Sequence, residues 1–139
     1  MLNEGIVVSL QVCVGKMLPM ESLRSANFIA GYGIDGDRHA TKDPKLRDRQ
    51  VLLIDEGTLK TFGLQYGILK ENITSIGIDL DSLVSGAILM LGEEVELKIS
   101  KECTPCSRMD EIRPGLQDAI KGRRGTLASV VKGGLVTIG

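Results

Sequence analysis

The chain has 139 residues, 42% hydrophobic and 25% charged, and its 17 basic and 18 acidic residues leave a formal net charge of −1. That balance predicts one globular domain over residues 1–139, and it excludes a global basic field that would recruit nucleic acid or an anionic membrane. Aromatic residues make up 3% of the chain and tryptophan is absent, too few for nucleic-acid binding by base stacking. No stretch approaches the ~20 apolar residues of a membrane span. The opening Met1-Leu2-Asn3-Glu4 lacks the basic and then apolar character of a secretory leader. Together with an odd count of three cysteines, this predicts a reducing, cytoplasmic setting without a structural disulfide.

Residues 5–13 alternate, with Ile6, Val8, Leu10 and Val12 on one face, and predict a half-buried strand. Cys13 falls on the opposite face, where a small inert side chain is expected. Residues 16–30 show no clear period and are expected to form a loop with weak strand content. Next comes Gly31-Tyr-Gly-Ile-Asp-Gly-Asp-Arg-His-Ala40, whose three glycines predict a sharp bend or a close backbone approach. Its glycine spacing is wrong for a dinucleotide fingerprint, and no Gly-Lys-Ser/Thr follows to make a P-loop. Asp35 and Asp37 fit turn residues bonded to their own backbone. His39 is the sole histidine, which excludes a multi-histidine metal site.

Residues 41–49 predict an exposed charged loop with Arg49 as its inward-pointing member. Gln50-Val-Leu-Leu-Ile54 is a short apolar run expected to be a buried strand. Asp55 is placed to cap a helix over about 56–62, closed by Gly63. Residues 67–80 predict a strand and turn interrupted by Glu71-Asn72, a polar pair that marks a bulge or a site because burying it unpaired is costly. Ala87–Leu91 and Glu94–Ser100 predict a hairpin across Gly92-Glu93. Pro114 opens a short helix that turns Leu116, Ala119 and Ile120 inward and stops at Gly122. Arg123 is placed to cap that helix through its dipole. Thr126–Val131 and Leu135–Ile138 predict a final hairpin. Seven to nine short strands with two or three short helices predict a mainly β domain closed as a barrel.

Chemistry concentrates in Lys101-Glu102-Cys103-Thr104-Pro105-Cys106-Ser107-Arg108. This stretch follows a strand, so two thiols lie on a loop, and basic neighbours favour the thiolate that acts as nucleophile or metal ligand. A zinc module is disfavoured, since only the distant Cys13 and His39 could complete four ligands. A thioredoxin-like dithiol protein needs the pair at the start of a long helix in a βαβ unit, whereas Pro114 interrupts within eight residues of Cys106.

Gly33-Ile-Asp-Gly-Asp-Arg-His39, Arg49-Gln-Val-Leu-Leu, Glu71-Asn72-Ile-Thr, Gly86 through Leu97, Cys103-Thr-Pro-Cys106 and Gly125 through Ile138 fall in the order and spacing of the MOSC domain. The chain resembles a small stand-alone member of that family over about residues 5–139. The resemblance implies a closed β-barrel of the MOSC, pyruvate-kinase-barrel-like type and a cytoplasmic role tied to the molybdenum cofactor. It places at Cys106 the sulfur that meets molybdenum or carries a transferable sulfur. Arg38, Arg49 and Asn72 match motif positions that hold the cofactor, with Arg108 and Arg124 added from position. Soft thiolate suits molybdenum and persulfide chemistry, and arginines suit a phosphate better than lysines do. Two activities follow from the resemblance: reduction of N-hydroxylated or similar substrates, or delivery of sulfur to a metal-sulfur centre. Either calls for a small-molecule substrate or a sulfur donor, and reduction calls for an electron-donor protein. The extra N-terminal β domain of reductase relatives and the pyridoxal-phosphate domain of full sulfurases have no counterpart in these residues.

Overall fold

The computed structural model describes residues 5–139, so the leader argument drawn from Met1–Glu4 lies outside the described residues. The chain forms β1 (Ile6–Val12), β2 (Glu21–Leu23), β3 (Ser25–Ile29), β4 (Gly33–Ile34), β5 (Val51–Asp55), α1 (Glu56–Thr61), β6 (Ile73–Ile76), β7 (Ile88–Leu91), β8 (Val95–Glu102), α2 (Arg108–Ile112), α3 (Leu116–Ala119), β9 (Thr126–Lys132) and β10 (Gly134–Thr137). Single 3-10 turns stand at Arg47–Arg49 and Leu80–Ser82.

Seven strands pair in the order β2-β1-β6-β5-β9-β8-β7, and β10-β3-β4 make a separate small sheet. The fold is mainly β with three short helices, but the expected closed barrel does not form: the large sheet curls into a half-barrel whose free edges are β2 and β7. Those edges are three and four residues long, too short to supply a closing ladder. Instead the small sheet contributes Ala26, Phe28, Ile34 and Val136 to the same core as Leu10, Val51, Leu53, Val95 and Leu97 of the large one. Fully burying a side chain such as Leu97 is worth about 2 kcal/mol.

Several local expectations change for identifiable reasons. A bulge between Val7 and Ser9 switches the parity of β1, so Val7 joins Leu10 and Val12 in the core while Ile6 is exposed. Residues 16–30 hold two strands, and β3 is the centre of the small sheet. β9 and β10 do not pair, because β9 is already flanked by β5 and β8, which leaves β10 to cross to β3. Asp55 occupies the N-cap position of α1 without a side-chain cap bond. Arg123 caps no helix: it donates to Thr58 Oγ1 at 3.3 Å and lies 5.5 Å from the Phe62 ring centre. The strand expected over 67–80 begins only at Ile73. The 87–100 hairpin forms as β7 and β8, and the apolar run after Gln50 forms β5, which is buried on both faces.

Candidate functional site

A cavity of about 330 Å³ lies where the C-terminal end of β8 meets β5 and the loops before β5, β6 and β9. Its lining comprises His39, Arg49, Leu52, Lys70, Asn72, Lys101, Glu102, Cys103, Thr104, Arg124 and Leu127. The cavity thus brings together three of the expected cofactor-binding residues, Arg49, Asn72 and Arg124, with the first thiol of the C-x-x-C loop. Arg38, Cys106 and Arg108 do not line it. Cys106 is exposed, and its carbonyl accepts the amide of Met109 at 2.9 Å as α2 begins. Met109 is fully buried under that helix and anchors the loop, and the amide of Cys103 donates to Gly125 O at 2.8 Å.

The glycine-rich bend is one wall. Gly33 sits at φ +130°, and a Cβ there would press on Ala40, so only glycine fits. Asp37 makes the expected turn bond to its own backbone, through the amide of His39, and is also a buried hub. Its carboxylate accepts from the amide of Cys13 at 2.7 Å, the amide of His39 at 3.1 Å and Asn72 Nδ2 at 3.1 Å. His39 Nδ1 lies 3.6 Å from the same carboxylate. Asn72 is committed internally: Nδ2 also donates to Gln11 O at 3.1 Å, and Oδ1 accepts the amide of Leu52 at 3.0 Å. Asn72 therefore shapes the wall by tying β1, β5 and the glycine bend together, with both of its donor hydrogens already used.

Charge at the cavity is predominantly positive. Arg49, Lys70, Lys101 and Arg124 line it against the single carboxylate of Glu102. Lys101 is paired with Asp48 at 3.4 Å and Lys70 donates to the carbonyl of Leu18. Arg49, at the end of the 3-10 turn, is exposed and has no carboxylate partner among the described residues. Arg124 is only 7% exposed; Nη2 donates to Leu69 O at 2.6 Å, while buried Nη1 has no partner among the described residues. An unpaired buried guanidinium donor is costly unless a ligand meets it. The residues thus suit an anion, and a planar, permanently charged fork is the donor that fits phosphate.

Glu71, beside Asn72, is fully buried; Oε2 accepts the amide of Gly67 at 2.6 Å and Oε1 that of Leu69 at 3.1 Å. Burial pushes its carboxyl above the ordinary value, opposed by those amides and by the Arg124 charge. The sequence flagged the polar pair but not its partners: Glu71 binds the amide of Gly67, 4 residues away, while Asn72 binds Gln11 and Asp37, 61 and 35 residues away. Lys101 and Glu102 belong to the cysteine stretch but were not expected to bind a ligand, and Lys70 carried no motif.

Among the described residues no three His, Cys, Asp or Glu side chains are arranged to hold a metal ion. The C-x-x-C pair precedes a five-residue helix and not the long helix of a thioredoxin-like site. No helix is long and apolar enough to cross a membrane among the described residues.

The fold is shared with solved structures of low sequence identity. The YUAD protein from Bacillus subtilis superposes with a TM-score of 0.77 at 20% identity, covering 99% of this chain and 93% of that one. YiiM from Geobacillus stearothermophilus gives 0.72 at 18% identity, covering 96% and 71%. YiiM from Escherichia coli gives 0.67 at 18% identity, covering 95% and 65%. No curated protein matches the chain. The family model of the MOSC domain matches residues 46–139, the part that supplies β5 to β10, the cysteine loop, Arg49, Asn72 and Arg124, and the chain belongs to the MOSC domain family.

Proposed function

We propose that the cavity takes the phosphate-bearing molybdenum cofactor and that the chain handles it through the cysteine loop. The observation that carries this reading is Arg124 Nη1, a buried donor without a partner among the described residues, at the wall of a cationic cavity. Arg124 and Arg49 would hold the phosphate, and Asn72 would keep the wall in register through its bonds to Asp37, Gln11 and Leu52. When bound, the cofactor supplies two-electron redox or sulfur chemistry at molybdenum. Cys103 lines the cavity, and Cys106, three residues on, provides an exposed soft thiol. For redox work the substrate would be a small N-hydroxylated or related molecule, with electrons from a separate protein.

The exposure of Cys106 favours a second reading, sulfur carriage. Its thiolate would attack the outer sulfur of a donor persulfide, the donor would leave as a thiolate, and one sulfur atom would move without any external oxidant. The two readings separate in protein purified from cells with an intact cofactor pathway, analysed for molybdenum and by intact mass. Near-stoichiometric molybdenum in wild type, lost in Arg49→Ala and in Cys106→Ala, is the expected result. A one-sulfur mass gain on Cys106 without metal would transfer the assignment to sulfur carriage. Neither signal would refute both.

A further inference from the structure

We infer that Glu71 is a positioning residue for the anion cavity, holding the Leu69 carbonyl on Arg124 so that the second guanidinium amino group stays free for the ligand. The inference rests on the anion-binding reading of that cavity. Glu71 does not line the cavity, yet it is the buried carboxylate whose charge acts on Arg124. The two do not form a direct ion pair among the described contacts. The carboxylate instead clamps the amides of Gly67 and Leu69, at 2.6 and 3.1 Å, across a tight turn closed by Lys70 N to Gly67 O at 3.0 Å.

Two residues of that turn need left-handed backbone, Gly67 at φ +86° and Lys70 at φ +64°. Gly67 also has no room for a Cβ against the side chain of Gln11. The turn therefore has little freedom to reach its shape by itself, and Glu71 adds two bonds to the one from Lys70 N to Gly67 O that closes it. Its product is the direction of the Leu69 carbonyl, the acceptor that the Arg124 side chain finds among the described residues, at 2.6 Å. A direct salt bridge would neutralise Arg124 and occupy both of its amino groups. The indirect arrangement places negative charge near the cation and leaves Nη1 unspent. Without the clamp, the carbonyl can rotate away and a buried cation will seek other acceptors, turning Nη1 out of the cavity.

The test is binding of inorganic phosphate at constant ionic strength, by calorimetry and by its effect on the melting temperature, in wild type, Glu71→Gln and Arg49→Ala. Glu71→Gln should bind phosphate roughly tenfold more weakly, the loss of one aligned charge-assisted hydrogen bond. A purely structural role would lower the melting temperature in chloride and leave the phosphate-dependent increment intact, which would overturn the inference alone. Wild type that binds no phosphate would overturn the anion site and this inference together. Phosphate binding lost in Arg49→Ala but unchanged in Glu71→Gln would keep the site and reject the role of Glu71. Should Glu71→Gln not fold, the wild-type amide signals of Gly67 and Leu69 decide: phosphate should shift both, and saturation without such shifts would overturn the inference.

Discussion

Replacing Asn72 by alanine removes three hydrogen bonds that no neighbouring group can restore. The amide of Leu52 and the carbonyl of Gln11 lose partners at 3.0 and 3.1 Å, and Asp37 loses a donor at 3.1 Å. Asn72 is 3% exposed, so water cannot substitute. The Leu52 amide and the Gln11 carbonyl are left unpaired at about 1–3 kcal/mol each, about 2–6 kcal/mol together, while Asp37 keeps its two amide donors. Against a total stability of about 5–15 kcal/mol this is a large share. Urea unfolding followed by circular dichroism should show the midpoint falling steeply with the slope unchanged. Asn72→Asp sharpens the test, because it sets a second carboxylate beside that of Asp37. One of the pair would have to hold a proton, so this variant should regain stability as pH falls from about 7 towards 5. A loss under about 1 kcal/mol for Asn72→Ala, or no pH dependence in Asn72→Asp, would refute the account of Asn72 as an internal tie.

Glu71 gives a pH signature of its own. Its folded-state pKa is raised by burial, so the folded state holds the proton more tightly than the unfolded chain. Its contribution to stability is full below the ordinary value of 4.5 and is lost as pH rises through the raised folded value. Subtracting the stability curve of Glu71→Gln from that of wild type should show this decline, and a flat difference would contradict it. The three thiols should separate kinetically toward a disulfide reagent under native conditions, since Cys106 is exposed, Cys103 half-buried and Cys13 buried. Cys106→Ser should remove the fast phase, and Cys13 should react only on unfolding. Arg49→Ala should leave the unfolding free energy from urea titration within about 0.5 kcal/mol of wild type, as an exposed position does, while phosphate binding is lost.

What could be read from the residues depended on whether the signal was local. The β7–β8 hairpin and β5 were legible because alternation, a turn dipeptide and an unbroken apolar run are each complete within ten residues. The final hairpin failed because two strands joined by glycine look alike whether they pair with each other or with others, and only the occupancy of both sides of β9 decides. Barrel closure failed for a similar reason, being a property of the edges β2 and β7 and not of any strand between them. At the site, arginines and cysteines were found by type, but their directions were not. Cys103 and Cys106 are equivalent in a C-x-x-C motif, and only the bond from Cys103 N to Gly125 and the burial of Met109 distinguish the thiol that lines the cavity from the exposed one. Asp37 fitted a local turn role, yet its main partners, Cys13 and Asn72, are 24 and 35 residues away.

The bonds around Asp37 bear on the speed of binding. A bend with three glycines in six residues would ordinarily sample many shapes and admit a ligand only from some of them. Here Arg38 N is bonded to Cys13 O at 2.8 Å, Asp35 N to Asn27 O at 2.9 Å and Thr41 N to Tyr32 O at 2.9 Å, around a carboxylate that holds two further amides. The ordering entropy of that wall is expended during folding and not at encounter. Association with an anion then has no loop-closure step to wait for. Its rate should be set by diffusion and by the field of Arg49 and Arg124, falling with ionic strength and rising linearly with ligand concentration.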